Sequence, residues 1–205
     1  MHLKPLPVIY MIAMSIYLLE TDSCITRGLV FGLIGDLCLM FPTTLLFEVG
    51  AVFFIIGHLF YIRGFTKDYQ YARMSLELQS IIHHLGAGLV FSILMINSFL
   101  LWNYLPNKGL FLLYGIVLSS MSASSFYRLH CFSKPQYWVG ILGSISFMTS
   151  DYLIAYSKFM GFQSSMNGPL IMLLYYGGQF MILKGNSRGK WWKGKIYLVG
   201  LIFKW

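Results

Sequence analysis

Apolar runs broken at short intervals by charged or turn-forming residues organise this chain. They cover residues 5–19, 27–41, 44–65, 80–101, 109–130, 136–157 and 167–183. A membrane-spanning helix needs about 20 mostly apolar residues. The first two runs are short, and tilt, local bilayer thinning or snorkelling of Arg27 accommodates them at modest cost. Hydrophobicity within each run is continuous rather than alternating, which argues against a membrane barrel. The connections Glu20–Thr26, Pro106–Lys108 and Phe132–Pro135 are tight and favour antiparallel neighbours. The pattern therefore predicts an all-α, polytopic transmembrane bundle of about seven helices over residues 1–184. Only residues 66–79 and the basic, aromatic tail of residues 185–205 offer much extramembrane chain. Ile196–Phe203 would span only about 12 Å as a helix, so the tail is expected along the interface, with Trp191, Trp192 and Trp205 at headgroup level.

Composition strengthens this reading. Of 205 residues 57% are hydrophobic and only 11% charged, with a mean hydropathy of +0.67, where a soluble domain carries about 25% charged residues. Disorder, collagen, coiled coil and a disulfide-knit scaffold are excluded by the same figures. The net charge of +8 does not point to nucleic acid, because the basic residues stand between apolar runs instead of forming one patch. They act as topology signals. Arg27, Arg63, Lys67, Arg73, Arg128, Lys134, Lys184, Arg188, Lys190, Lys193 and Lys195 follow the odd-numbered runs, whereas Lys4, Lys108, Lys158 and Lys204 fall on the other side. The positive-inside rule makes the first side cytoplasmic and puts Met1 opposite. Met1–Leu19 lacks a small-x-small cleavage site and is expected to be retained. Cys24 and Cys131 fall on the cytoplasmic side and Cys38 inside a helix, so no structural disulfide is expected.

Ionisable groups inside the runs carry the functional information, because a charge at mid-bilayer costs several kcal/mol unless a cavity or partner receives it. Asp36, Glu48 and Asp151 are the three acids so placed. Gly28, Gly32, Gly35 and Asp36 share one helical stripe, as do Gly140, Ser144, Phe147 and Asp151; the small residues admit a neighbouring helix, and each carboxylate points into the bundle. Asp36 is six residues from Pro42 and Asp151 seven from Lys158, so both lie about 9–10 Å inside the non-cytoplasmic end and can share a cavity. Glu48, one turn from its helix start, reads as a solvated end position. His58 and Tyr61 are i, i+3 on the third run, in the cytoplasmic half by count and not obviously within reach of Asp36. Tyr175, Tyr176 and Gln179 on the seventh run either line a cavity or pack in an aromatic core. Ser119–Ser125 reads as a packing face. No HExxH or other paired-His helical motif is present, which weakens a zinc-hydrolase reading.

Five ordered blocks carry a family resemblance: Lys4-Pro-Leu-Pro7, Gly28 through Asp36 to Met40, Gly50 through His58 to Tyr61, Gly143 through Ser150-Asp151, and Met172-Leu-Leu-Tyr175-Tyr176-Gly-Gly-Gln179. Together they resemble the YhhN-like lysoplasmalogenase family, multispanning membrane enzymes that hydrolyse the vinyl ether of lysoplasmalogens to a fatty aldehyde and a glycerophospho head group. The resemblance implies that Asp36 and Asp151 are catalytic and that Lys4, His58, Tyr61, Tyr175, Tyr176 and Gln179 are cavity residues binding a lysophospholipid substrate. It implies no cofactor or metal, a bilayer setting and, in a eukaryotic cell, the endoplasmic reticulum membrane. It further implies a helix ahead of the Lys4 block, absent from this sequence, and an end unlike Gly185–Trp205. The residue types suit the chemistry: one carboxyl protonates the β-carbon of the vinyl ether, and another activates water, as in an inverting glycosidase. Two other classes stay open, a seven-helix metal-dependent lipid hydrolase using Asp36, Asp151 and a histidine, and a transporter or receptor using the acids as a relay or counter-ion.

Overall fold

Helix starts and stops follow local chemistry along the chain. The computed structural model describes residues 5–17, 23–41, 43–71, 77–126, 134–161 and 166–187. These form seven helices: α1 (Leu6–Tyr17), α2 (Ser23–Leu39), α3 (Thr44–Tyr71), α4 (Glu77–Leu101), α5 (Lys108–Ser125), α6 (Lys134–Phe159) and α7 (Asn167–Gly185). The Thr43 hydroxyl caps α3 by accepting from the Leu46 amide at 3.2 Å, and Asn107 Oδ1 caps α5 by accepting from Leu110 N–H at 3.2 Å. Such caps satisfy amides that have no partner inside the helix. Pro135 sits in the first turn of α6, where its missing N–H costs nothing. Gly161, at a φ of 68°, stands just beyond that helix in a left-handed conformation that favours glycine.

Each helix falls on one of the seven apolar runs, and together they form the expected all-α bundle. The boundaries differ most at α3, which continues to Tyr71 although its apolar run stops at residue 65. Residues 66–71 and 77–79, expected as loop, are helical because α-helix formation depends on backbone pairing and not on apolarity; Thr66 turns its hydroxyl back onto the Ile62 carbonyl at 2.9 Å. Gly185, assigned to the tail by sequence, is the last residue of α7. It is buried against Gly140, and Gln136 Nε2 donates to the Ser187 carbonyl at 2.9 Å. The remainder of the tail, with its three tryptophans, lies outside the described residues.

Two helix pairs have the most extensive packing, α2 with α3 and α6 with α7. Both are seamed by glycine. A Cβ on Gly57 would stand 3.0 Å from the Gly28 carbonyl oxygen, and one on Gly50 3.2 Å from that of Gly35. On the other seam, a Cβ on Gly178 would stand 2.6 Å from Phe147 N and one on Gly143 2.7 Å from Ile182 N. Only missing side chains allow backbones this close. Helix α5 joins the two pairs, packing on α3 and α6. Its serines form part of that contact: Ser125 Oγ and Ser144 Oγ are 2.9 Å apart, and Ser122 Oγ donates to the Ser144 carbonyl. Helix α1 packs on α2 and α7, contributing Val8 and Met11 to a core with Ile25, Leu29, Phe65, Leu118, Met121 and Ile182.

The outer surface is apolar. Tyr17, Leu45, Leu85, Phe99 and Leu173 are each more than two-thirds exposed, and α4 turns Ile93, Ile96 and Leu100 outward as well. A soluble monomer rarely exposes apolar area on this scale. Among the described residues, Thr44–Lys67, His84–Tyr104 and Pro135–Phe159 are long and apolar enough to cross a membrane.

Candidate functional site

Because each glycine-seamed pair carries one of the two aspartates, bringing the pairs together brings the carboxylates together. Asp36 from α2 and Asp151 from α6 line one cavity of about 440 Å³. Helices α2, α3, α5, α6 and α7 all contribute to its wall. Most of that wall is apolar, with Leu39, Phe54, Ile154, Ile171 and Met172. A carboxylate pair in an apolar chamber forms a polar focus in a low-dielectric surround, where electrostatic interactions strengthen.

Asp151 is buried and firmly held. Tyr114 Oη on α5 donates to its Oδ2 at 2.5 Å. His58 Nε2 on α3 lies 3.7 Å from the same oxygen and 3.5 Å from Tyr114 Oη. The imidazole is 1% exposed and stands edge-on to Phe147, ring centroids 5.3 Å apart. Asp36 is half-buried and lines the cavity with Tyr114, Tyr175 and Tyr176. Tyr175 lines the same cavity as both acids. Its ring is fixed edge-on to Phe54 and tilted against Phe147.

The glycine stripe of α2 determines what stands beside Asp36. The Tyr61 ring lies directly over Gly28, in space a side chain there would fill, and Gln179 Nε2 stands 3.6 Å from where a Gly32 Cβ would be. Residues 28, 32 and 36 are successive turns of one face, so α3 and α7 deliver two polar heads along the row that ends at Asp36. Tyr61 Oη, Tyr175 Oη, Gln179 Oε1 and His58 Nδ1 are buried without a hydrogen-bond partner among the described residues. Buried polar groups normally have one; of the four residues only Tyr175 lines the cavity.

The residues singled out by sequence divide as follows. Asp36, Asp151, Tyr175 and Tyr176 line the cavity; His58, Tyr61 and Gln179 stand behind its wall. Lys4 lies outside the described residues. Glu48 is half-buried on α3 and does not line the cavity. His58, expected in the cytoplasmic half and not obviously within reach of Asp36, stands beside the other acid, 3.7 Å from Asp151 Oδ2. At 28 residues, α3 is about 42 Å long against a hydrocarbon core of about 30 Å.

Tyr114 and Lys158 were not among the sequence-derived site residues. A usable signal existed for the first: Tyr114 is six residues into α5 from Lys108, about 9 Å, the same depth as both aspartates. Among the described residues no three His, Cys, Asp or Glu side chains converge into a group that could hold a metal ion.

The family model described as YhhN family matches residues 1–186 of the chain. The chain belongs to the YhhN family, the lysoplasmalogenase family. No curated protein and no solved structure matches it. As a YhhN family protein with long apolar helices, it is an integral membrane protein. The match takes in all seven helices and every residue of the cavity described above.

Proposed function

We propose that this YhhN family protein is a multi-pass hydrolase that cleaves the vinyl ether bond of lysoplasmalogens. The products are a fatty aldehyde and glycerophosphocholine or glycerophosphoethanolamine. In a eukaryotic cell its site of action is the endoplasmic reticulum membrane. The observation that carries the reading is the convergence of Asp36 and Asp151 on one apolar cavity.

A vinyl ether resists direct attack by water. Protonation of its β-carbon produces an oxocarbenium ion; water adds to the α-carbon and gives up a proton, and the resulting hemiacetal collapses to aldehyde and alcohol, one water being consumed. This requires a proton donor and a base on one substrate. Asp151, accepting from Tyr114, is the base that takes the proton of the water. Asp36 is the donor to carbon. Tyr175, which lines the cavity with both carboxylates, steadies the charge that passes between them. His58 and Tyr114 fix the orientation of Asp151, as second partners commonly do for a catalytic carboxylate or imidazole.

Purified protein given a lysoplasmalogen and its saturated-ether analogue tests the reading. Release of aldehyde from the first and none from the second is expected, because only the vinyl ether has a carbon to protonate. Equal turnover of both, or of an ester analogue in preference, would overturn it. Activity lost to a chelator and restored by zinc would instead favour a metal-dependent hydrolase.

A further inference from the structure

The cavity has a polar feature at its mouth that the paired-acid chemistry does not use. Its wall along α6 runs from Asp151 through Ile154 and Ala155 to Ser157 and Lys158. Asp151 and Lys158 are seven residues apart, two turns on one face and about 10 Å along the axis. Lys158 thus stands on the same cavity wall as Asp151, two turns nearer the end of α6.

The ammonium is positioned by aromatic packing. Lys158 Nζ rests 3.6 Å from the centroid of the Phe47 ring. Phe47 is itself wedged between Phe111 and Phe159, at centroid distances of 5.8 and 5.6 Å, so the ring cannot move far. A cation over an aromatic face keeps its charge while making only a modest attraction, one that an anion can outcompete. Beside it, Ser157 Oγ accepts from Asn167 Nδ2 at 3.3 Å. Gly168, in the first turn of α7, also lines the cavity, and a Cβ there would meet nothing within 4 Å. The mouth thus combines a cation, a hydroxyl and open space beside the amino end of a 19-residue helix, whose free amides favour negative charge. The carboxylates stand two turns deeper.

We propose that Lys158 anchors the phosphate of a lysophospholipid head group, an inference that rests on the reading of the cavity as a vinyl-ether hydrolase site. The spacing suits it. In such a substrate the β-carbon that receives the proton lies about 8 Å from phosphorus when extended, taking roughly 1.2 Å of reach for each of the seven bonds between them. A phosphate held at Lys158 therefore places the vinyl ether at the depth of Asp36 and Asp151. Lys158 is a specificity determinant in this account and takes no part in bond breaking. The alternative role, an interfacial anchor that merely holds the end of α6 at the membrane surface, makes no distinction between substrates with and without phosphate.

The test uses the full chain in maltoside detergent, which contributes no phosphate. Affinity for a 1-alkyl lysophospholipid, which carries the phosphate but cannot be cleaved, is compared with that for the matching 1-alkylglycerol. The comparison is made for the native chain, Lys158→Gln and Lys158→Arg, with inorganic phosphate added as competitor in a further arm. Lys158→Gln should weaken the phospholipid about tenfold or more, the usual scale for losing a hydrogen bond to a charged group, and leave the alkylglycerol unchanged. Lys158→Arg should restore binding, since guanidinium also pairs with phosphate. Millimolar inorganic phosphate should compete with the lipid only weakly; if it displaces the lipid fully, the site is one for free phosphate and the head-group assignment falls. An equal effect of Lys158→Gln on both lipids, or none on either, overturns the proposal. Because binding is read without turnover, Lys158-dependent binding by a chain that fails to cleave the vinyl ether would refute the hydrolase reading while leaving the phosphate site in place.

Discussion

The two aspartates face the same cavity from differently built walls. Asp151 is buried on α6, takes a phenol hydrogen bond at 2.5 Å and has an imidazole 3.7 Å away. Asp36 is half-buried on α2, at the end of a row of glycines that makes room for the Tyr61 ring and the Gln179 amide. One carboxylate is oriented by a direct hydrogen bond from α5 with an imidazole of α3 close by, whereas the other is oriented by what its own helix leaves out. The contrast suits a division of labour in which the rigid acceptor handles water and the more open acid faces the substrate carbon.

Removing either carboxyl should have the largest effect. Asp36→Asn and Asp151→Asn are each expected to abolish most turnover of a lysoplasmalogen while leaving the inserted fold intact, and the double variant should be little slower than either single one, because groups that act as a unit fail together. Turnover by initial rates, with detergent-extracted yield as the control for folding, measures this. A double variant far slower than both singles would mean that the two walls work independently.

Tyr114→Phe sharpens the contrast, since it removes one hydroxyl from the Asp151 side alone. Loss of a hydrogen bond to a charged group, about 1.5–3 kcal/mol, corresponds to a fall in kcat of roughly ten- to a hundredfold, each 1.4 kcal/mol being a factor of ten. KM should change less than kcat, because the hydroxyl is already committed to Asp151. An unchanged kcat would show that Asp151 needs no orienting partner.

The glycine seams should respond in stability before they respond in rate. Gly178→Ala would force a methyl against backbone atoms of Phe147 and the Gly143 carbonyl, and overpacking of this kind typically costs about 1–3 kcal/mol. Gly35→Ala meets only the Phe54 ring, at 2.8 Å, and a ring can swing, so its cost in thermal unfolding should be smaller. Equal losses would mean that the two pairs are not packed as described. Smallest of all is the expected effect of Glu48→Gln, outside the cavity on α3, which should alter stability by no more than about 0.5 kcal/mol and leave turnover unchanged.

Helix number and class were readable from the chain because the bilayer and the bundle interior both demand continuous apolar runs. Helix length beyond the membrane was not, as the six helical residues that end α3 show. The nearness of Asp36 and Asp151 was readable as matched depth, since each is tied to a nearby helix end. His58 escaped the same arithmetic: counted into the cytoplasmic half, it stands 3.7 Å from Asp151. Tyr114 was hidden by composition: in a chain with 14 tyrosines a single hydroxyl at the right depth does not stand out. In the sequence Lys158 marks sidedness and the end of its helix; that its ammonium lies on Phe47 and that it lines the cavity is a matter of side-chain packing between helices far apart in sequence.

The central claim is that a carboxylic acid of this chain delivers a proton to carbon. Hydrolysis of a lysoplasmalogen in D₂O, with the aldehyde trapped as it forms to prevent later exchange, reads that step by mass spectrometry. The account predicts one deuterium at C2 of the aldehyde, and turnover that persists in chelator. An aldehyde with no deuterium at C2 would contradict it, because the C–O bond would then have been broken without protonation of the double bond.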